Sequence, residues 1–228
     1  MKKFIVSVLS ICVFASCSNE DIVSPEKNGI VRPGFNPKNY ESVQNPTNEF
    51  DFVGELYIEL LDDYLENYEE EDQLKDIIIN AEYTAENNTV FNSISSGYLQ
   101  LEVNHVEWVL DNINTPVTTI NATGLSATGK SSLSGFVNNL DNLGSMYFEN
   151  AIKDIVIYEN AVMANTVMTD NDRYTILRVT AITKYSLAYE NDGGDRGWLR
   201  TKAGILASMS AISPPQAVTM SLVANIAS

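Results

Sequence analysis

The stretch GLSATGKS, residues 124–131, matches the pattern G-x-x-x-x-G-K-[ST] letter for letter. In a phosphate-binding loop of this form, backbone N–H groups and a helix dipole cradle the phosphates while the serine hydroxyl holds magnesium. Gly124, Gly129, Lys130 and Ser131 are the residues that would carry that chemistry. The loop also needs a buried parallel strand in front of it and a helix behind. Val117-Thr118-Thr119-Ile120 could be a short strand, and Ser131 or Ser132 could cap a helix running through Leu140. Ile155 to Glu159 even imitates an apolar strand ending in an acid. That run, however, lies inside a helical stripe from Phe148 to Val162, and no alternating series of strands and helices builds a parallel sheet. The stretch therefore reads as a small-residue loop with a solvated Lys130 and a serine cap, and nucleotide binding stays as an alternative.

Other chemistry is sparse. His105 is the only histidine, so a hydrolase triad or a two-histidine zinc site lacks partners, and a packing role beside Val106 and Trp108 is expected. Carboxylates are abundant, and the densest group is Glu66, Glu69, Glu70, Glu71 and Asp72, which reads as a solvated turn between helices. Asp192-Gly193-Gly194-Asp195 lacks the spaced oxygen ligands and closing glutamate of a calcium loop. No catalytic site, metal or cofactor is expected.

The N-terminal residues speak to compartment. Met1-Lys2-Lys3 is a cationic start, Phe4 to Phe14 is apolar, and Ala15-Ser16-Cys17 follows. The apolar run is too short for a bilayer-spanning helix, which needs about 20 residues, and reads as a cleaved signal peptide. Small residues directly before a cysteine resemble the lipobox of bacterial lipoproteins, which implies that Cys17 becomes the lipidated first residue. Phe14 stands where the lipobox usually has an aliphatic residue. Ser18-Asn19-Glu20-Asp21 resembles the acidic export tag of surface lipoproteins in some Gram-negative bacteria. Without Lys2 and Lys3 the balance is 12 basic against 30 acidic residues, a net charge of −18. Such a surface repels nucleic acid and anionic headgroups, so membrane attachment must come from acyl chains.

The elements behind these features read as helical. Residues 18–47 hold four of the seven prolines and no period, so 17–47 is expected to be a flexible tether after a signal peptide at 1–16. From Thr47, a plausible N-cap, Val53, Leu56, Leu60, Tyr64 and Tyr68 form a stripe with Tyr57 and Leu61 beside it. Leu74, Ile77, Ile78, Ala81 and Ala85 form a second, ended by Asn87-Asn88. Tyr98 to Ile113 fits a helix, although Leu99, Leu101 and Val103 also alternate like a strand. Phe148, Ile152, Ile155, Tyr158 and Val162 form a further helix. Thr169 and Asp172 make a capping box for another, carrying Tyr174, Leu177, Ala181, Tyr185 and Ala188 and ended by Asp192-Gly193-Gly194. The expected fold is all-α: a single bundle of five to seven helices over residues 48–228.

Residues 203–228 are 26 uncharged residues rich in Ala, Ser, Ile, Met and Val, divided by Pro214-Pro215. Two short helices packed in the core are expected; a membrane-inserting or partner-binding hairpin is the alternative. From Thr169 onward the chain, through Tyr185-Ser186 and Trp198 before the apolar tail, resembles small lipoproteins of Gram-negative bacteria, a resemblance that implies no activity. The function expected is a non-enzymatic lipoprotein, anchored by Cys17 in the outer membrane, that binds a protein or envelope partner, with the periplasm and the cell surface both open as the side it faces. A membrane-active, bacteriocin-like protein that uses the apolar tail is the second reading.

Overall fold

The computed structural model describes residues 40–68, 73–192 and 197–228. Cys17, the signal peptide, the acidic tag, residues 69–72 of the acidic group and the Gly193-Gly194-Asp195 segment lie outside them. Among the described residues there are eleven α-helices and no strand. The all-α expectation holds; five to seven helices is an undercount. The surplus consists of short helices between residues 89 and 145: α3 (Thr89–Ile94), α4 (Val103–Asp111), α5 (Pro116–Ala122), α6 (Ala127–Asn138) and α7 (Leu140–Ser145). The helix expected from Tyr98 is α4 alone, and the candidate strand Val117–Ile120 lies within α5, which Pro116 starts.

The longest helix, α9 (Asp170–Asn191), is the axis of the fold. Every residue from Thr175 to Tyr189 is buried, polar ones included. Such a helix needs neighbours all round. They are α1 (Asp51–Asn67), α8 (Phe148–Ala164), α10 (Trp198–Ser208), α11 (Pro214–Ala227) and α6, together with a 3-10 turn at Tyr40–Val43. Helix α2 (Leu74–Glu86) packs on α1 and α11.

Helix α1 approaches α9 closely because Gly54 lacks a side chain. A Cβ there would lie 2.5 Å from both the Ala181 carbonyl oxygen and Cδ2 of Tyr185. The stripes expected in α1 and α2 are the buried ones: Val53, Leu56, Tyr57, Leu60, Leu61 and Tyr64 in α1, and Ile77, Ile78, Ala81 and Ala85 in α2. Helix α1 starts at Asp51, four residues after the expected cap Thr47. The Thr47 hydroxyl instead bonds the Asn45 side chain at 2.6 Å, while Oδ1 of Asn48 accepts the Phe50 amide. Residues 40–47, the end of the stretch expected to be tether, bury Tyr40, Val43 and Asn45.

The uncharged tail supplies the second half of α10, whose first half carries Arg200 and Lys202, and all of α11; the two helices pack together and are separated by a turn ahead of Pro214-Pro215. Gly204 faces the Ser221 carbonyl, where a Cβ would sit 2.9 Å away. Buried Ser and Thr hydroxyls return to their own helix: Ser208 to the Ile205 carbonyl, Thr219 to Pro215 and Ser221 to Ala217. That local bonding is what lets an uncharged but polar stretch enter the core. The tail's buried Ile205, Leu206, Val218, Met220, Leu222 and Val223 belong to the main hydrophobic cluster, and no helix among the described residues is long and apolar enough to cross a membrane.

Gly54→Ala should lower unfolding free energy by about 1–3 kcal/mol, because a backbone carbonyl must move, although alanine gains about 1 kcal/mol in helix propensity. Urea unfolding followed by circular dichroism measures the difference.

Candidate functional site

The densest internal polar cluster joins α1, α8 and α9. Lys184 of α9 has a fully buried side chain, and its Nζ lies 2.5 Å from Oδ1 of Asp51 and 2.9 Å from Oε2 of Glu159. Glu159 sits on the apolar stripe of α8 and is itself fully buried. The residues just before α1 complete the shell. Asn45 Nδ2 donates to Oε2 of Glu159 at 2.8 Å, and Asn48 Nδ2 donates to Oε1 at 2.8 Å. The Thr180 hydroxyl donates to Oε1 at 2.9 Å. On Asp51, Oδ2 accepts the Asn45 backbone N–H at 3.1 Å and the Tyr185 hydroxyl at 3.2 Å. Burial and the neighbouring Asp51 push the Tyr185 phenol far above its ordinary value, so it stays a donor.

A second buried cation lies two turns earlier on α9. Arg178 donates to the Thr175 hydroxyl and the Ala211 carbonyl, both at 3.3 Å, and lies over the Phe50 ring. Its Nε has no partner among the described residues, and burial lowers its pKa to about 10.

The GLSATGKS stretch is a helix start. Ser126 is the N-cap of α6, accepting the Gly129 amide with its side chain and the Lys130 amide with its carbonyl. Gly129, Lys130 and Ser131 are therefore already helical, and the two amides that would face a phosphate are bonded internally. Lys130 extends to the Asn121 carbonyl at 2.9 Å. The cap is Ser126, not Ser131 or Ser132: Ser131 is exposed, and Ser132 shares a 2.8 Å hydrogen bond with the Tyr158 hydroxyl. Gly129 is small for a packing reason, since a Cβ would fall 2.3 Å from Oδ1 of Asp172. Gly124 is exposed, in the turn before α6, and its carbonyl accepts from Asn171.

Asp172 joins two helix starts. It closes the capping box with Thr169 on α9, and it also accepts the Ser126 amide at 2.8 Å and the Ser126 hydroxyl at 2.6 Å. Burial alone would raise its pKa, but the hydrogen bonds from Ser126 and Thr169 outweigh that and hold it below the ordinary carboxylate value.

Helices α6, α7 and α8 border a groove of about 500 Å³, lined among others by Ser131, Phe136, Asn139, Leu143, Asp154 and Tyr158. Phe136 and Tyr158 stack with centroids 5.0 Å apart. Its size lies in the range of small-ligand pockets, and it combines aromatic surface with a carboxylate, an amide and a hydroxyl. His105 is exposed on α4, 6.4 Å from the Trp108 ring. Among the described residues no group of three or more His, Cys, Asp or Glu side chains could hold a metal ion.

The sequence reading missed the Asp51–Glu159–Lys184 cluster. Its only trace was a lysine and a glutamate at apolar-stripe positions of two helices. Comparison with family models, curated proteins and solved structures finds no match for the chain.

Two outcomes are expected. Lys184→Met leaves two buried carboxylates without their cation and should cost about 3–5 kcal/mol of stability at neutral pH, read by denaturant unfolding. Because the folded-state pKa of Asp172 is lowered, its contribution is present above the unfolded-state value near 3.9 and is lost as pH falls through the folded value. Asp172→Asn should therefore lower Tm at pH 7 and reduce the fall in Tm on acidification below about pH 4, measured by thermal melts across pH.

Proposed function

We propose that this protein is an exported, non-enzymatic lipoprotein whose helical domain binds a protein or other envelope partner, held in the outer membrane by acyl chains on Cys17 and facing the cell surface. The observation that carries this reading is Lys2-Lys3, the apolar run Phe4 to Phe14, and Ala15-Ser16-Cys17. Several features of the folded part support it. The reactive side chains that could suggest catalysis, Asp51, Glu159 and Lys184, are bonded to one another inside the core. Most apolar residues of α10 and α11 lie in that core, which fits attachment through acyl chains rather than through the tail. A groove between α6, α7 and α8 offers room for a small ligand or a partner's side chain. The acidic surface favours a partner that is neutral or basic.

Cys17→Ala should shift the protein from the membrane pellet to the soluble fraction and abolish incorporation of a labelled fatty acid. Unchanged pelleting from detergent-free extracts, or an intact Met1 end found by mass spectrometry on a soluble protein, would overturn the reading.

A further inference from the structure

The contacts around Lys184 set a primary amine against a carboxyl group in a largely buried site with further groups suited to acyl transfer. Nζ lies 2.5 Å from Oδ1 of Asp51. The opposite oxygen, Oδ2, accepts the Asn45 backbone N–H at 3.1 Å and the Tyr185 hydroxyl at 3.2 Å. Two donors on the oxygen that would carry charge in a tetrahedral intermediate form an oxyanion hole. On the other side of the amine, Oε2 of Glu159 lies 2.9 Å from Nζ, within reach for proton transfer. Glu159 is held there by Asn45, Asn48 and Thr180. In bulk water an amine and a carboxylate remain an ion pair, because both are hydrated. Here both are enclosed and oriented, which can be worth effective molarities of about 10⁵–10⁸ M.

The geometry points to an intramolecular amide bond between Nζ of Lys184 and Cγ of Asp51, formed after folding with Glu159 as the proton carrier. The Lys184 ammonium first passes a proton to Oδ1, leaving a neutral amine and a neutral acid. The amine lone pair attacks Cγ, and negative charge develops on Oδ2 between the Asn45 and Tyr185 donors. Glu159 then takes a proton from Nζ and delivers it to the Oδ1 hydroxyl, which departs as water while the Cγ=Oδ2 double bond reforms. One C–N bond forms, one C–O bond breaks, and one water leaves. Glu159 ends as the carboxylate it began, and no oxidant or reductant takes part.

The product closes a covalent loop between α1 and α9, across 133 positions of sequence. The chain has two cysteines, Cys12 and Cys17, and both precede the helical domain. No disulfide can therefore join those helices, and an amide would supply the cross-link that exported domains often take from cystine.

Digestion of the purified, denatured full-length protein with trypsin tests the proposal. Linked Lys184 resists cleavage, so the expected product is a branched peptide of residues 39–75 joined to 179–196, one water lighter than the two together. Complete cleavage after Lys184, giving only the linear peptides 39–75, 179–184 and 185–196, would mean an ion triad and nothing more, and would overturn the bond. Glu159→Gln, its fold checked by circular dichroism, should lose the branched peptide. Its retention in that variant would overturn the role of Glu159. Should Glu159→Gln fail to fold, the wild-type digest still decides whether the bond exists.

Discussion

Enclosing a polar helix on every side is the constraint to which the rest of this fold answers. Helix α9 carries Thr175, Arg178, Thr180, Thr183, Lys184 and Ser186 through a stretch in which no residue reaches solvent. Each buried polar group then needs a partner within the protein. Threonine finds one locally, as Thr183 does on the Val179 carbonyl at 2.8 Å. Lysine cannot, and its ammonium must be met by acids from other helices. Asp51 and Glu159 meet it from α1 and α8, and Asn45, Asn48, Thr180 and Tyr185 donate to the same carboxylates. A buried ion pair adds little net stability over a well-packed apolar replacement. Its effect is register. If α1 slid by one residue along α9, Asp51 would leave Lys184 and a charge would be stranded among hydrocarbon side chains.

Legibility followed the length of each element. Helices α1, α2, α8 and α9 are 13 to 22 residues long, enough turns for an apolar stripe to stand out, and all four were foreseen. The capping box of Thr169 and Asp172 was readable because its chemistry is local: both partners lie within one turn. The helices from α3 to α7 run from 6 to 12 residues, and the shortest offer too few apolar positions to separate a period of 3.6 from one of 2. Leu99, Leu101 and Val103 show the ambiguity, since the first two precede α4 and only the third is in it. Burial all round was invisible for a different reason. Tyr174, Leu177, Ala181, Tyr185 and Ala188 suggested a one-sided helix, but the other faces of α9 are covered by chain far away in sequence. The Lys184 cluster was hidden likewise, its acids lying 133 and 25 positions from it.

The GLSATGKS stretch shows how a short pattern can satisfy one set of physical demands while spelling another. Ser126 is needed as a helix cap, Gly129 is needed because the Asp172 carboxylate rests against its backbone, and Lys130 reaches back to a free carbonyl. Ser126, Gly129 and Lys130 each have a local reason that involves no phosphate. The motif's second glycine, Gly129, and the spacer residue Ser126 serve the junction of α6 with the start of α9, while the motif's own serine, Ser131, is exposed.

The placement of α1 also governs the order in which the chain can take shape. Helix α1 ends at Asn67, yet two of the surfaces that cover it, α9 and α11, begin at Asp170 and Pro214. A chain made from its N-terminus onward therefore carries the bare apolar stripe of α1 for more than a hundred residues of synthesis. Contacts at such separation slow folding and hold the nascent chain open. That delay leaves the apolar stripe of α1 open to other apolar surfaces until α9 and α11 have been made.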